Sequence, residues 1–119
     1  MIKEPVAILA NGNFPSHPIP LGILMDAYTI ICCDGSANNL EEVGMEPNYI
    51  LGDIDSIDDD LKNKYKERII KLPEQDENDL RKAILWAERK RTKKADILGA
   101  TGMRDDHTVS NIFTLLHIK

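Results

Sequence analysis

Two aspartates separated by a single residue follow a short apolar run near the middle of the chain. The run Tyr49–Gly52 ends in a glycine, and Asp53, Asp55 and Ser56 come directly after it. On an extended backbone side chains alternate sides, so Asp53 and Asp55 point the same way. Paired carboxylates repel unless a cation lies between them, and Mg²⁺ commonly takes one or two carboxylates together with substrate phosphates. The spacing predicts a metal–phosphate site at the end of a buried strand; the alternative is a solvated turn before a helix.

Polar residues follow four other predicted strands in the same way. Asparagine and glycine accept positive φ and let the backbone approach a ligand closely. An aspartate at such a place can instead cap the next helix, which is the alternative interpretation. The residues concerned are Asn11 and Gly12 after residues 6–10, Asp34 after residues 28–33, the run 75–79 after residues 68–72, and the run 102–107 after residues 94–99.

The predicted strands alternate with helical patterns along the chain. Each strand is a continuous apolar run, as expected when both faces of a sheet are covered, and the connections suit crossovers rather than hairpins. We therefore predict one α/β domain of 119 residues, built as an open, mostly parallel sheet with helices on both faces, a Rossmann-like three-layer sandwich. Ligands of such sheets bind outside the carboxyl ends of the strands, where these polar residues lie.

Helical spacing of apolar residues predicts the elements that carry these turns. A stripe of Leu80, Ala83, Ile84 and Ala87 predicts a helix over residues 79–90. Shorter helices are expected over residues 21–26, 36–43 and 58–65, and residues 14–20, with three prolines, are expected to be irregular. A last helix is predicted from residue 104, with an apolar stripe of Val109, Ile112, Phe113 and Leu116.

Composition excludes several classes of protein. The net charge of −5 and the shortness of the basic runs argue against a nucleic-acid-binding surface. No apolar run approaches the length of a transmembrane helix, and the first residues lack the apolar core of a signal peptide. Neighbouring residues of a strand point to opposite faces, so the adjacent Cys32 and Cys33 are interpreted as buried, unbridged thiols of a cytoplasmic protein.

Four motifs resemble, in order, the signatures of the thiamine pyrophosphokinase family. They are Asp34-Gly35-Ser36-Ala37-Asn38, Gly52-Asp53-Ile54-Asp55-Ser56, Gln75-Asp76-Glu77-Asn78-Asp79 and Gly102-Met103-Arg104-Asp105-Asp106-His107. The family transfers a diphosphate group from ATP to the hydroxyl of thiamine, giving thiamine diphosphate and AMP. It uses Mg²⁺ and works as a homodimer, so the resemblance implies ATP, thiamine, Mg²⁺ and a second copy of the chain as partners.

The resemblance also implies roles for individual residues. The metal ligands are expected to be Asp53, Asp55 and Asp79, which together with Asp106 form the catalytic set. Nucleotide contacts are expected of Ser56, Arg104, Asp106 and His107, with Gln75 near the acceptor. From their places after predicted strands, Asn11, Gly12, Asp34 and Asn78 complete the expected cofactor-binding set. Two residues depart from the family pattern: Asn78 stands where threonine is usual, and Met103 where a second glycine is common.

Two other functions compete with this interpretation. The Asp53-Ile54-Asp55 motif superficially resembles that of haloacid-dehalogenase phosphatases, although that motif normally follows the first strand. A non-catalytic nucleotide-binding regulatory domain is possible on the same scaffold, because fold alone does not set function. The resemblance further implies a second, β-rich domain that helps to form the thiamine pocket; this sequence ends before it, so we expect a nucleotide- and metal-binding fragment with weak or no activity alone.

Overall fold

A single six-stranded sheet, joined by four helices and one short 3₁₀ helix, makes up the part of the chain that the computed structural model describes. The described residues are 2–10, 14, 17–52, 57–71, 79–99 and 111–114. The elements are β1 (Val6–Leu9), α1 (Pro18–Asp26), β2 (Thr29–Cys33), α2 (Ser36–Glu42), β3 (Tyr49–Gly52), α3 (Asp59–Lys64), the 3₁₀ helix (Lys66–Arg68), β4 (Ile69–Lys71), α4 (Asp79–Arg89), β5 (Lys94–Leu98) and β6 (Asn111–Thr114).

The order of the strands reverses once, at β1. Across the sheet the order is β4-β3-β2-β1-β5-β6, so the chain steps outward from β1 to β4 and then returns to the other side of β1. The first five strands are parallel, with Ala7 opposite both Ile30 and Asp96, and β6 pairs antiparallel with β5. In open α/β sheets such a reversal opens a crevice outside the carboxyl ends of the two strands, here β1 and β5.

Helices cover both faces of the sheet, as predicted. On one face Ala7 and Leu9 of β1 pack in a core with α1, α2 and α3. On the other face Val6 and Ile8 pack with α4, through its buried side chains Ala83, Trp86 and Ala87. Because both sides of each central strand are buried, the strands need apolar residues at every position, which explains their continuous apolar runs.

The first helix begins three residues earlier than the sequence predicted. Pro18 and Pro20 both lie in the first turn of α1, and His17 precedes it as the N-cap residue. The first amide of this turn to donate within the helix is that of Leu21, which bonds the carbonyl oxygen of His17 at 3.0 Å. Since the missing N–H groups of the two prolines fall before this bond, they do not interrupt the helix.

The predicted last helix is wrong at residues 111–114. These residues form β6 and pair with β5, with Ile112 opposite Asp96 and Phe113 opposite Ala95. Their β-branched and aromatic residues favour a strand, and pairing with the edge of β5 satisfies backbone groups on both strands. The rest of the predicted helix lies outside the described residues.

The adjacent cysteines pack as predicted. Cys32 belongs to the core on the α1–α3 side and Cys33 to the core on the α4 side, and both are fully buried. They are not joined in a disulfide. Among the described helices, none is long and apolar enough to cross a membrane.

Candidate functional site

The end of β2 carries the one candidate site residue whose side-chain burial the structure describes. Asp34 is 6% exposed and adopts a left-handed backbone, with φ 44°. Its N–H donates to the carbonyl oxygen of Leu51 at 2.8 Å, which joins the ends of β2 and β3. Gly35, rather than Asp34, occupies the N-cap position of α2. The backbone therefore turns sharply at Asp34, and the carbonyl oxygen of Asp34 accepts a hydrogen bond from the N–H of Ala37 at 3.3 Å, in the first turn of α2.

A buried hydrogen bond attaches the start of α2 to the end of β1. The hydroxyl of Ser36, 1% exposed, donates to the carbonyl oxygen of Leu9 at 2.9 Å. On the other side of β1, the N–H of Ala10 donates to the carbonyl oxygen of Leu98 at 2.8 Å. These contacts hold the carboxyl ends of β1 and β5 together with α2 at the point where the strand order reverses.

The residues on either side of the paired aspartates are fixed at the same edge. Gly52 ends β3 with a φ of 126°, a backbone conformation that residues other than glycine rarely adopt. Beyond residues 53–56, Ile57 is buried in the core and Asp58 is exposed. The N–H of Asp58 donates to the side-chain oxygen Oδ1 of Asn38 at 3.1 Å. Gly52 thus lies at the end of β3, and Asp58 lies beside the first turn of α2.

The helix on the opposite face also begins towards this edge. β4 ends at Lys71, and α4 begins at Asp79 and connects to β5, which runs parallel to β4. A helix between two parallel strands leads from the carboxyl edge back to the amino edge, so its first residue lies nearer the carboxyl edge. The structure therefore brings the backbone of Asp79 towards the same edge as Asp34 and Gly52.

The other predicted site residues lie outside the described part of the chain. They are Asn11, Gly12, Asp53, Asp55, Ser56, Gln75, Asn78, Arg104, Asp106 and His107. Within the described residues, no group of three or more histidine, cysteine or acidic side chains is arranged to hold a metal ion. The predictions for these positions remain predictions.

A cavity of about 440 Å³ opens at the opposite edge of the sheet and is separate from this site. It is lined by residues at the amino ends of β1 and β5, namely Glu4, Pro5, Val6, Lys94, Ala95 and Asp96. Burial raises the pKa of Asp96, against a smaller lowering by Lys94. Ligands of such sheets bind outside the carboxyl ends of the strands, whereas this cavity lies at their amino ends.

Sequence reasoning missed the structural roles of Ser36 and Asn38. Both belong to a motif that it recognised, but it assigned neither a partner. The available signal is their type, because short polar side chains in a first helical turn often bond to backbone groups nearby. Their actual partners, Leu9 and Asp58, are 27 and 20 residues away along the chain.

The fold and this edge together define an α/β protein of the doubly wound class, with its strand order reversing at β1 and β5. A sequence model described as thiamin pyrophosphokinase, catalytic domain, matches residues 22–119. That match covers most of the chain and all four motifs, and the chain belongs to this family. The phosphatase and regulatory-domain alternatives are not supported by the comparisons.

Curated relatives and solved structures agree with the family. The chain is 33% identical over 113 residues to thiamine pyrophosphokinase of Bacillus subtilis (strain 168), covering 90% of this chain and 52% of that protein. It is 30% identical over 95 residues to thiamin pyrophosphokinase 1 of Caenorhabditis elegans, covering 72% and 39%. The crystal structure of thiamine pyrophosphokinase from Bacillus subtilis aligns with a TM-score of 0.65 and 28% identity, covering 86% of this chain and 50% of that one. The chain thus spans about half the length of these relatives, or less.

Proposed function

We propose that this chain forms the nucleotide- and metal-binding domain of an enzyme that transfers diphosphate from ATP to the hydroxyl of thiamine. The observation that carries the proposal is the family match over residues 22–119, because that range contains every motif with candidate site residues after β1. The fold supports it, since the ends of β1, β2, β3 and β5 and the start of α2 are joined around the reversal point. Residues 1–119 act in this proposal as one domain.

Three carboxylates are the proposed metal ligands: Asp53, Asp55 and Asp79. Their donors are all oxygen atoms, which suits a hard cation such as Mg²⁺. The described residues fit this set, because Gly52 before the first two and the backbone of Asp79 lie towards the same edge of the sheet. When bound, Mg²⁺ would supply positive charge that offsets the charge of the ATP phosphates.

The remaining candidate residues divide between the two substrates. In this proposal, Gln75 lies near the acceptor, thiamine, and the other residues bind the nucleotide. The proposed nucleotide-binding residues are Asn11, Gly12, Asp34, Ser56, Asn78, Arg104, Asp106 and His107. The sequence has no Walker lysine loop, so the cationic Arg104 and backbone N–H groups at helix N-termini would share in holding the phosphates.

The reaction is an in-line displacement at the β-phosphorus. The oxygen of the thiamine hydroxyl forms a bond to the β-phosphorus, while the bond from that phosphorus to the oxygen of the α-phosphate breaks and AMP leaves. The hydroxyl proton passes to a carboxylate, for which Asp76 and Asp79 are the two candidates. Most of the acceleration in such transfers comes from positioning and charge stabilisation, which is the role proposed for this edge.

The proposal includes the setting in which the protein works. We place it in the cytoplasm and as a homodimer, following the family resemblance. Light scattering of the purified protein tests the dimer, and a monomer at working concentrations would contradict that part.

Calorimetric binding of a non-hydrolysable ATP analogue, with and without Mg²⁺, tests the site directly. We expect binding that depends on Mg²⁺ and is lost in Asp53→Ala. The matched control is Asp60→Ala, an exposed aspartate of α3, which should bind as the wild type does. Thiamine-dependent release of AMP by the protein in its full length then tests the transfer. Mg²⁺-dependent binding that survives in Asp53→Ala would show that Asp53 is not part of the site. Binding of ATP without release of AMP would contradict the proposed transfer of diphosphate.

A further inference from the structure

Helix α1 is apolar around its whole circumference. Asp26 is the only residue of α1 with a polar side chain. Pro20 and Leu24 are buried, and Leu21 and Ile23 pack partly against the core on this face of the sheet. A helix that is apolar on every side is normally buried on every side, because an outward apolar face would otherwise meet water. The composition of α1 therefore predicts that its outer face is covered in the working protein.

The outer face of α1 is open in this chain. Ile19 is 75% exposed and Met25 is 64% exposed. Between them lies Gly22, where an added side-chain carbon would meet no atom within 4 Å. Tyr28, which follows the helix, is 59% exposed. Most of the large hydrophobic residues that are exposed in the described part of the chain thus belong to α1 or come just after it, which marks an interaction surface.

We propose that this outer face, made of Ile19, Gly22, Met25 and Asp26, is the contact between two copies of the chain, with their α1 helices antiparallel and crossing at Gly22. The inference rests on the homodimer of the proposed function and names its surface. Gly22 projects no side chain, so two helices can approach closely there. A two-fold axis at this point brings Ile19 of one copy opposite Met25 of the other, because Gly22 lies midway between them in the sequence.

The charges of α1 make its outer face complementary to a second copy of itself. Asp26 ends the helix, where the negative end of the helix dipole disfavours a carboxylate. The first turn of α1 holds no acidic residue. In the antiparallel pair, Asp26 of each copy lies beside the positive first turn of the other helix, which stabilises the carboxylate. In a parallel pair the two Asp26 carboxylates would face each other and repel.

The size of the surface sets the strength of the contact. A helix of nine residues is about 14 Å long, and a standard interface buries about 800 Å² on each partner. One such helix, even together with the adjoining Tyr28, supplies only part of that area. We therefore expect a reversible dimer with a Kd on the order of 10 μM, rather than a permanent one.

Sedimentation equilibrium of the purified protein, over a concentration range that brackets this Kd, tests the interface. Gly22→Lys places a charge at the crossing point, where the chain itself leaves room, so it should keep the fold and raise the Kd about ten-fold or more. Asn63→Lys adds the same charge at an exposed position of α3 and should stay within about two-fold of the wild type. A Gly22→Lys protein that dimerises as the wild type does would overturn the inference.

The variant Asp26→Asn tests the direction in which the helices pair. It removes the carboxylate beside the first turn of the other helix, so it should raise the Kd about two- to five-fold, the effect of one charge at a helix terminus. In a parallel pair the same change would remove a repulsion and lower the Kd. An unchanged or lower Kd would therefore contradict the antiparallel crossing.

Cross-linking tests the crossing point directly. A two-fold axis at residue 22 brings its two copies within the reach of a disulfide, with Cα atoms about 4.4–6.8 Å apart. With copper phenanthroline as the oxidant, Gly22→Cys should form a cross-linked dimer about ten times faster, or more, than Asn63→Cys. Cys32 and Cys33 are fully buried and do not compete in the native protein. Equal rates for the two variants would overturn the inference.

The same samples separate this inference from the proposed function. A wild type that stays monomeric throughout the range contradicts the homodimer and the inference together, and the α1 face would then serve a different partner. A wild-type dimer that Gly22→Lys leaves intact overturns the inference alone, because another surface must then join the copies. Binding of the ATP analogue, measured on the same proteins, tests the nucleotide site independently of either outcome.

Discussion

The hydroxyl of Ser36 lies 2.9 Å from the carbonyl oxygen of Leu9 and donates a buried hydrogen bond to it. This contact joins the first turn of α2 to the end of the central strand, across 27 positions of sequence. It lies where the strand order reverses, so it connects the scaffold to the edge at which the candidate site is built.

Replacing Ser36 with alanine should destabilise the fold. The substitution leaves the buried carbonyl of Leu9 without this donor, at a cost of about 1–3 kcal/mol in the free energy of unfolding. Urea unfolding measures the change. Asn39→Ala, on the same helix, should not lower the stability, and a loss below about 0.5 kcal/mol in Ser36→Ala would show that water or another group replaces the bond.

Replacing Gly22 or Gly44 with alanine should change the stability of the fold in opposite directions. A methyl group would meet no atom within 4 Å at either Gly22 or Gly44. Gly22 lies within α1, so Gly22→Ala should stabilise the protein by about 0.5–1 kcal/mol by reducing the freedom of the unfolded chain. Gly44 has φ 81°, so Gly44→Ala should destabilise it by about 1–2 kcal/mol. Thermal unfolding of the two variants checks the signs, and equal signs would contradict this account.

The contact between Glu41 and Lys64 should make part of the stability depend on pH. Hydrogen bonds from Lys64 and then Tyr65 lower the pKa of Glu41 below its ordinary value of 4.5. A carboxylate with a lowered pKa stabilises the fold above its unfolded-state pKa, and this contribution disappears as the pH falls through the folded-state value. The wild type should therefore be more stable than Glu41→Gln near neutral pH, and the difference should shrink towards zero well below pH 4.5. A difference that is constant with pH in urea unfolding would exclude this origin.

Cys32 should be unreactive in the folded protein. Burial raises the pKa of its thiol to about 12, against a smaller lowering by its hydrogen bond with Ser36. Because the thiolate is the reactive form, iodoacetamide at mildly alkaline pH should modify Cys32 only when urea unfolds the chain. Mass mapping of the labelled peptides measures this. Labelling of the native protein at the rate seen in urea would show that the site opens without unfolding.

The sequence predicted the sheet because burial on both faces leaves a clear pattern. The strand β2 needs apolar residues on both faces, and α4 needs them on the one face that packs on the sheet, with Leu80, Ala83, Ile84 and Ala87. The predicted first and last residues of both elements therefore agree with the structure within one or two residues. Residues 111–114 show the limit of this reasoning. Their spacing also fits a helical stripe, and the choice of a strand depends on pairing with β5, which is remote in sequence.

The candidate site was predictable only as a location. The rule that ligands bind at the carboxyl ends of strands predicts one edge for the site, and in the structure the ends of β2 and β3 meet at that edge through the hydrogen bond from Asp34 to Leu51. The left-handed backbone of Asp34 and the Asn38–Asp58 bond could not be predicted. Both depend on how separate segments pack against each other, which no local pattern of residue types encodes.

The reversal of strand order at β1 has a consequence for the way the protein is made. Residues 6–9 are synthesised before the other described strands, yet one edge of β1 finds its partner only when residues 96–98 have been synthesised. Until then the open edge of β1 and the apolar face that α4 covers stay exposed on the nascent chain, which makes this stage prone to aggregation. Among the described strands, β1 is therefore the first to be made, yet it gains its second neighbour only after β2 and β3 have gained both of theirs.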